Sequence, residues 1–401
     1  MARVAPAASH PPLATRAPGA LVIGGDYQGL GIVRSLGRRG IPVWVLDDER
    51  SIAAVSRYTR RRLPWPTANP QAQRDYLLAL GARYGLAGWV IFPTRDETVA
   101  LLAREHAALS RCFRLATPPW PVTRWAYDKR LTYHLAAKSG VDYPRTYQPP
   151  SAAAVATLDC PFPALLKPAI KEPFYRQTHA KAWRVDDRAT LLARYAEACA
   201  LIAPEEVLVQ ELIPGGGEAQ FSYAALCLAG RPLASLVARR VRQHPMDFGH
   251  ASTYVETVEE PAVEAAAQRL LAAMGYTGLV EVEFKRDPRD GRFKLLDVNA
   301  RTWGWHTLGR RAGVDFPFLL WRLLHGEPPP PSRARPGVRW MRLLTDLPTA
   351  AGEIARGRLA PRAYLRSLVG DREGAVFAWD DPLPALLELA LVPYLWRKRG
   401  F

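Results

Sequence analysis

Two short apolar runs separated by a polar turn constrain this chain more than any other part of its sequence. Val280–Lys285 alternates apolar and charged residues, and Phe293–Arg301 follows after a turn that carries Asp290-Gly291 near its tip. Period-two alternation on both sides of such a turn predicts a β-hairpin.

The facing residues of this hairpin suit a divalent cation. Alternation puts Asp297 and Asn299 on one face of the second strand, and a turn centred on residue 290 puts Glu283 opposite Asp297. Arg301 extends the same face by two residues. Oxygen donors of this kind suit Mg²⁺, with Mn²⁺ as a substitute, because water and phosphate oxygens complete the octahedron.

A solvated strand face is the alternative interpretation, and it is preferred for Glu281 taken alone. For Glu283, Asp297 and Asn299 it fits less well, because Phe293–Val298 is too apolar for a surface strand. Repelling carboxylates in a semi-buried position require a cation. The set therefore predicts a metal site.

Charge narrows the partners of the chain without identifying one. The 401 residues include 54 lysines and arginines against 38 acidic residues, a net charge of +16, which favours nucleotide phosphates, a membrane surface or nucleic acid. The basic residues are scattered without interleaved aromatics, which argues against nucleic acid. Cysteines without CxxC spacing predict a reducing, cytoplasmic location rather than disulfides or zinc; they are Cys112, Cys160, Cys199 and Cys227.

Composition and patterning divide the chain into five parts. Residues 1–18 are rich in Ala and Pro, lack the apolar core of a signal peptide and predict a disordered tail. Residues 19–125 open with a βαβ pattern and predict a Rossmann-like parallel-sheet domain. Residues 126–206 and 207–330 mix short strands with helices, and residues 331–401 follow a proline run and predict a mainly helical extension.

Two features of the first domain are candidates for ligand binding. The glycine-rich turn Gly24–Gly31 does not match the GxGxxG spacing, so it is interpreted as a fold element rather than a cofactor site. Asp96 follows the strand Gly88–Pro93, at the carboxyl end where ligands bind in open α/β sheets. It is a candidate substrate residue, with a helix N-cap as the alternative.

The end of the chain leaves its own contacts open. Leu383–Trp396 is apolar but is interrupted by Glu388 and Pro393, and a basic tripeptide at 397–399 follows it. This pattern predicts either a helix docked on the protein or a segment in weak contact with a membrane surface. A homodimer is also left open.

The order of the polar motifs resembles the ATP-grasp superfamily, in its carboxylate–amine (carboxylate–thiol-type) ligase branch. The resemblance covers roughly residues 20–330, and each motif alone is weak. The motifs that carry it are Asp128-Lys129, Leu166-Lys167-Pro168, Gln210-Glu211-Leu212-Ile213-Pro214-Gly215, Glu283-Phe284 and Asp297-Val298-Asn299-Ala300-Arg301.

The resemblance implies an α/β fold in which a two-lobed ATP-grasp module follows the Rossmann-like domain. Residues 126–206 would form the small lobe and residues 207–330 the large lobe with the metal site. It also implies functions for single residues: Lys129, Lys167 and Lys181 on ATP phosphates, Gln210, Glu211, Leu212 and Ile213 around the adenine, Glu218 on the ribose, Glu283, Asp297 and Asn299 on Mg²⁺, and Arg301 on the transferring group.

The chain departs from the family pattern at two places. The segment Ala169–Lys181, expected as a mobile phosphate flap, contains no glycine. It is still interpreted as a polar lid loop in which Lys171 and Lys181 reach for phosphate. Asp297 stands where family members more often carry glutamate, so the occupancy of a two-metal site is left open.

Arg239 and Arg242 are further candidates for the catalytic set. They lie on a predicted strand, Pro232–Arg242, where they could meet a γ-phosphate or a substrate carboxylate. The alternative is a general surplus of arginine.

These expectations converge on an ATP- and Mg²⁺-dependent ligase. Such an enzyme would phosphorylate a small-molecule carboxylate to an acylphosphate and couple it to an amine. A catalytically silent nucleotide-binding or scaffold protein is the alternative, motivated by Asp297 and the glycine-free flap.

Overall fold

The computed structural model describes residues 18–67, 69–244, 246 and 251–399, with the backbone alone at 395, 396, 398 and 399. The predicted tail, residues 1–18, lies outside this part of the chain except for its last residue. The strands are β1 (Ala20–Ile23), β2 (Val43–Asp47), β3 (Thr59–Pro64), β4 (Val90–Pro93), β5 (Arg114–Leu115), β6 (Thr146–Tyr147), β7 (Ala164–Pro168), β8 (Trp183–Val185), β9 (Val207–Glu211), β10 (Gln220–Leu228), β11 (Arg231–His244), β12 (Ala251–Val258), β13 (Gly278–Arg286), β14 (Phe293–Asn299), β15 (Ser332–Arg333), β16 (Arg339–Met341) and β17 (Arg372–Gly374).

Helices connect these strands and cover the sheets. They are α1 (Tyr27–Gly37), α2 (Pro70–Tyr84), α3 (Asp96–Arg104), α4 (His106–Leu109), α5 (Trp120–Tyr127), α6 (Lys129–Lys138), α7 (Ala152–Ala156), α8 (Lys171–Thr178), α9 (Arg188–Cys199), α10 (Pro261–Met274), α11 (Thr307–Arg311), α12 (Phe316–Leu324), α13 (Leu343–Ala355), α14 (Pro361–Ser367), α15 (Leu383–Ala390) and α16 (Val392–Arg399).

The N-terminal domain is built on a parallel sheet of order β3-β2-β1-β4-β5, which confirms the Rossmann-like prediction. Its glycine-rich turn is closed within the fold. The backbone N–H of Gly25 donates to the Asp47 carboxylate at 2.6 Å, and Arg95 pairs with the same carboxylate at 2.9 Å. Because Asp47 already has these partners, the turn acts as a fold element.

The middle of the chain forms a small antiparallel sheet of order β6-β9-β7-β8. Strands β7 and β9 are buried almost throughout, and α9 packs against them. The sheet lies mostly within residues 126–206, the range predicted as the small lobe, and β9, assigned from sequence to the large lobe, hydrogen-bonds here.

The large sheet has the order β14-β13-β10-β11-β12-β16-β17, with β15 paired to β11. The predicted hairpin is confirmed as the antiparallel pair β13–β14. Strands β15 to β17 lie in residues 331–401, so this part of the chain adds strands to the sheet as well as helices α13 to α16. The division into five parts stays a prediction.

Candidate active site

A cavity of about 420 Å³ lies where the three sheets meet. Its walls come from β7 and β9 of the small sheet, β13 and β14 of the large sheet, and helices α6 and α8. Tyr27 and Asp96 of the N-terminal domain close one side.

The hairpin carries oxygen donors into this cavity. Glu283 lies opposite Asp297 and Glu281 opposite Asn299 in the β13–β14 register, and all four residues line the cavity. The Asn299 amide nitrogen donates to Glu283 at 2.8 Å and to Glu281 at 3.1 Å. The predicted metal residues therefore share one face, although their function as ligands stays a prediction.

Glu281 is the residue that sequence reasoning misjudged. A solvated sheet face was preferred for it, yet only 3% of it is exposed, and it accepts from the Ser222 hydroxyl at 2.9 Å. Burial, reinforced by the charge of Glu283, raises the pKa of Glu281 to about 7. The signal available in the sequence was the i, i+2 spacing to Glu283, which puts both carboxylates on one strand face.

Lys129 reaches the hairpin from α6. The Asp128 side chain caps this helix by accepting the Arg130 N–H at 3.0 Å, which makes Lys129 the first helical residue. Its Nζ lies 2.6 Å from Asp297. Burial alone would lower the pKa of Lys129, but the charge and hydrogen bond of Asp297, together with Tyr133 and Asp96, raise it.

Two more lysines line the cavity from the small lobe. Lys167, buried on β7, donates from Nζ to the Tyr133 hydroxyl at 2.7 Å. Lys181 precedes β8, and burial lowers its pKa to about 8 despite the opposing effect of Glu283. The structure thus brings the three predicted phosphate lysines to one cavity.

Asp96 joins the N-terminal domain to the cations of the cavity. It is the first residue of α3, and its carboxylate pairs with Arg301 and, at 2.8 Å, with Lys171. Burial would raise the pKa of Asp96, but Arg301 and Lys171 reverse this effect and lower it. The prediction of a polar lid loop is wrong at this point: residues 171–178 form α8, which carries Lys171.

The end of the cavity at β9 is lined by Gln210, Glu211, Leu212 and Ile213, the residues predicted to surround an adenine. Both carboxylate oxygens of Glu211 are already occupied: one accepts the Arg145 N–H at 2.9 Å, and the other accepts from Arg289 at 2.8 Å. Lys285, missed from sequence, donates to the Ile213 carbonyl at 2.9 Å and fixes the corner after β9. The available signal in the sequence was a lysine at the end of the hairpin strand Val280–Lys285.

Three predicted residues lie away from the cavity lining. Glu218 accepts the Gly216 N–H at 3.1 Å, so it caps its own turn rather than facing a ribose site. Arg239 is exposed and pairs with Glu256, and Arg242 pairs with buried Asp346 at 2.8 Å. The structure therefore does not bring these three residues together with the other predicted site residues.

Arg240 is the arginine of β11 that lines the cavity, where it pairs with Glu283 at 3.1 Å. The β11–β12 register shifts between Arg240 and Arg242, and this irregularity breaks the simple alternation that would give both residues one face. Sequence alone does not reveal such a bulge.

The donor set fits a hard cation that is also held by phosphate. Among the described residues, no three His, Cys, Asp or Glu side chains form a metal-binding group. Glu283, Asp297 and Asn299 would supply two carboxylates and an amide oxygen and leave positions for water and phosphate oxygens. Here the amide nitrogen of Asn299 faces Glu283, and Asp297 is paired with Lys129.

Comparison with solved structures places this fold. The chain is similar to an L-amino acid ligase from Bacillus licheniformis (17% identity, TM-score 0.61, covering 78% of this chain and 75% of the ligase). It is also similar to the biotin carboxylase domain of the 2-oxoglutarate carboxylase from Hydrogenobacter thermophilus, determined with MgADP and bicarbonate (14%, 0.62, 80% and 73%). A third similar structure is N5-carboxyaminoimidazole ribonucleotide synthetase from Thermus thermophilus (16%, 0.58, 79% and 81%). At these identities the likeness shows the fold.

One part of the chain matches an ATP-grasp family by sequence, in line with the resemblance of its motifs. Residues 204–344, from the start of β9 to the start of α13, match the profile of a particular ATP-grasp family, described as the ATP-grasp in the biosynthetic pathway with the Ter operon. No curated protein matches the chain by sequence.

Proposed function

We propose that this protein is an ATP- and Mg²⁺-dependent ligase that activates a small-molecule carboxylate and joins it to an amine. The observation that carries the proposal is one cavity in which lysines from the small lobe face the oxygen donors of β13 and β14. The named activities of the structural neighbours support ligation in general terms.

The nucleotide would lie along the end of β9. Backbone groups of Gln210–Ile213 would meet the adenine edge, as strand ends do when they offer unpaired donors and acceptors. Lys167, Lys181 and Lys129 would then neutralise the phosphates, because ammonium groups on flexible stems suit a triphosphate.

Glu283, Asn299 and Asp297 would hold Mg²⁺, which supplies charge neutralisation at the phosphate oxygens. Asp297 is also paired with Lys129 at 2.6 Å. The lysine therefore positions one of the proposed metal ligands as well as facing the nucleotide.

The reaction has two steps. An oxygen of the substrate carboxylate attacks the γ-phosphorus, the bond to the β–γ bridging oxygen breaks, and ADP leaves an acylphosphate behind. The lone pair of the amine then attacks the acyl carbon, and phosphate and a proton are released as the amide forms. Arg301 and Lys171 would stabilise the negative charge of the acyl and phosphoryl oxygens, with Asp96 holding both cations in place.

A screen for ADP release over amino acids, dipeptides and other carboxylates, with amines as acceptors, tests this proposal. We expect ADP and phosphate to be released in equal amounts when both substrates are present. Release with the carboxylate alone should be slower. Lys167→Ala should abolish release, whereas Arg239→Gln, outside the cavity, should not. A protein that binds ATP tightly but releases no ADP with any pair overturns the ligase proposal.

A catalytically silent nucleotide-binding protein is the second candidate. The Lys129–Asp297 pair favours it, because it engages a phosphate lysine with a proposed metal ligand. Binding of ATP that is insensitive to Mg²⁺ and to Asn299→Ala would support this candidate.

A further inference from the structure

The C-terminal part of the chain exposes apolar side chains that the rest of the protein buries. Ten large hydrophobic residues are exposed among the described residues, and all except Leu228 lie between residues 343 and 389. We name these nine the C-terminal apolar surface: Leu343, Leu347, Leu365, Val369, Phe377, Trp379, Leu383, Leu386 and Leu389. A concentration of this kind marks a surface that meets another phase or partner.

Six of these residues fall into two groups of three. Leu343, Phe377 and Trp379 line a common groove, and the two aromatic rings are in contact with centroids 4.8 Å apart. Leu383, Leu386 and Leu389 recur at i, i+3 and i+6, which forms one stripe along α15. The exposed fractions of these leucines are 55%, 60% and 62%.

Buried ion pairs hold the helices of this region together. Arg342, which precedes α13, donates to Glu388 of α15 at 2.9 Å. Arg242 joins Asp346 of α13 at 2.8 Å to Ser367 of α14 at 3.1 Å. The apolar side chains are therefore displayed on a supported scaffold.

In the same region most carboxylates are buried, whereas most arginines are exposed. Its carboxylates at 346, 353, 381 and 388 are buried, and Asp380 is the one exposed acid described between residues 343 and 399. Asp380 itself is neutralised by Arg38 at 2.8 Å. The arginines face solvent instead: Arg356, Arg358, Arg362, Arg366, Arg372 and Arg397 are all exposed.

We propose that the C-terminal apolar surface binds anionic lipid bilayers. Leucines with flanking arginines and an exposed tryptophan combine the two attractions that hold interfacial proteins on a membrane, burial of apolar area and contact with anionic headgroups. The contact is peripheral, since no helix among the described residues is long and apolar enough to cross a bilayer. It extends over α13 to α15, beyond the terminal segment that the sequence suggested.

Vesicle flotation with the full chain tests the proposal. We expect co-flotation with phosphatidylcholine–phosphatidylglycerol vesicles, weaker binding to pure phosphatidylcholine, and loss of binding as NaCl is raised. The combined change Leu383→Ser, Leu386→Ser and Leu389→Ser should weaken binding at least about tenfold. Leu228→Ser is the matched control and should bind as the wild type does.

A charge series separates the electrostatic contribution. Arg362→Gln with Arg366→Gln should weaken binding to anionic vesicles by roughly fivefold per arginine at low salt. Arg83→Gln with Arg111→Gln, two exposed arginines outside this region, should leave it unchanged. Far-UV circular dichroism and the melting temperature of each variant test whether it is folded. Trp379→Ser, which lies in a loop, provides a second variant that removes an exposed apolar side chain.

Three results overturn the proposal. The first is equal recovery with neutral and anionic vesicles, and the second is binding that the leucine and tryptophan variants leave unchanged. The third is self-association abolished by the leucine variants without any vesicle binding, which would assign this surface to a contact between two copies of the chain.

Discussion

Arg240 and Arg242 lie two residues apart on β11 and are used in opposite ways. Arg242 is sealed: its side chain and that of Asp346 are 6% and 0% exposed, and both its Nε and Nη2 lie 2.8 Å from that carboxylate. Thr253 donates to the same carboxylate at 2.8 Å. All these groups have partners within the fold.

Arg240 instead faces the cavity. Its guanidinium contacts Glu283 at 3.1 Å and the Gln220 amide oxygen at 2.8 Å, and both of these residues also line the cavity. The comparison teaches that charge type alone does not distinguish a structural pair from a functional one. The position of the partners distinguishes them. A charged group whose partners line an open cavity can exchange those partners for a ligand, whereas one whose partners are all buried cannot.

The largest expected effect concerns the sealed pair. Arg242→Met leaves Asp346 buried without its cation, and we expect a loss of about 3–5 kcal/mol in the free energy of unfolding. Chemical denaturation measures this loss. Asp346→Leu added to Arg242→Met should recover much of the stability, and an Arg242→Met protein as stable as the wild type would remove the distinction between the two arginines.

Asn299→Ala carries the second largest effect, on the cavity side. The amide contacts Glu281 and Glu283 at 3.1 Å and 2.8 Å, and its removal should lower ligase turnover by about 100-fold while the melting temperature changes little. Titration with Mn²⁺, followed by electron paramagnetic resonance, gives a readout independent of turnover. Mn²⁺ affinity equal to that of the wild type would exclude Asn299 as a ligand.

The sequence predicted the hairpin register because alternation and turn position are local. The pairing of Glu283 with Asp297 followed from counting residues on each side of the turn. The sheet partners of a strand are not local, which is why β12 and the strands beyond the proline run were missed.

The misplaced site residues have similar causes. Arg239 and Arg242 were named and Arg240 was not, and the irregular β11–β12 register that separates Arg240 from Arg242 is a tertiary feature. Glu281 was judged solvated because its burial depends on Ser222 of β10, a strand far away in the chain. The expected lid loop contains helix α8 instead, because polarity and length do not distinguish an irregular loop from a short polar helix.

Arg240→Gln sharpens the comparison at lower energy. The change removes a cation beside Glu283 without opening a large cavity, so we expect ATP–Mg²⁺ affinity to fall by about tenfold with stability nearly unchanged. Isothermal titration calorimetry measures the affinity. Arg239→Gln is the control because Arg239 is exposed and outside the cavity; equal effects of the two changes would contradict the assignment of Arg240 to the site.

The smallest effect is a pH dependence that belongs to Lys181. Burial lowers the pKa of this lysine to about 8, so its ammonium form, which attracts phosphate, is lost as the pH rises through about 8. We therefore expect ATP affinity to fall about three- to fivefold between roughly pH 7 and pH 9.

Proton linkage gives a second test of the same lysine. Bound phosphate favours the charged form and raises the pKa of Lys181, so ATP binding near pH 8 should take up part of a proton. Calorimetry in two buffers with different ionisation enthalpies measures this uptake. Lys181→Met should remove both the uptake and the pH dependence, because no titrating group then remains at that position. If instead the variant keeps the wild-type pH profile, another cavity group titrates. That group, and not Lys181, is then the cavity charge that responds to ATP.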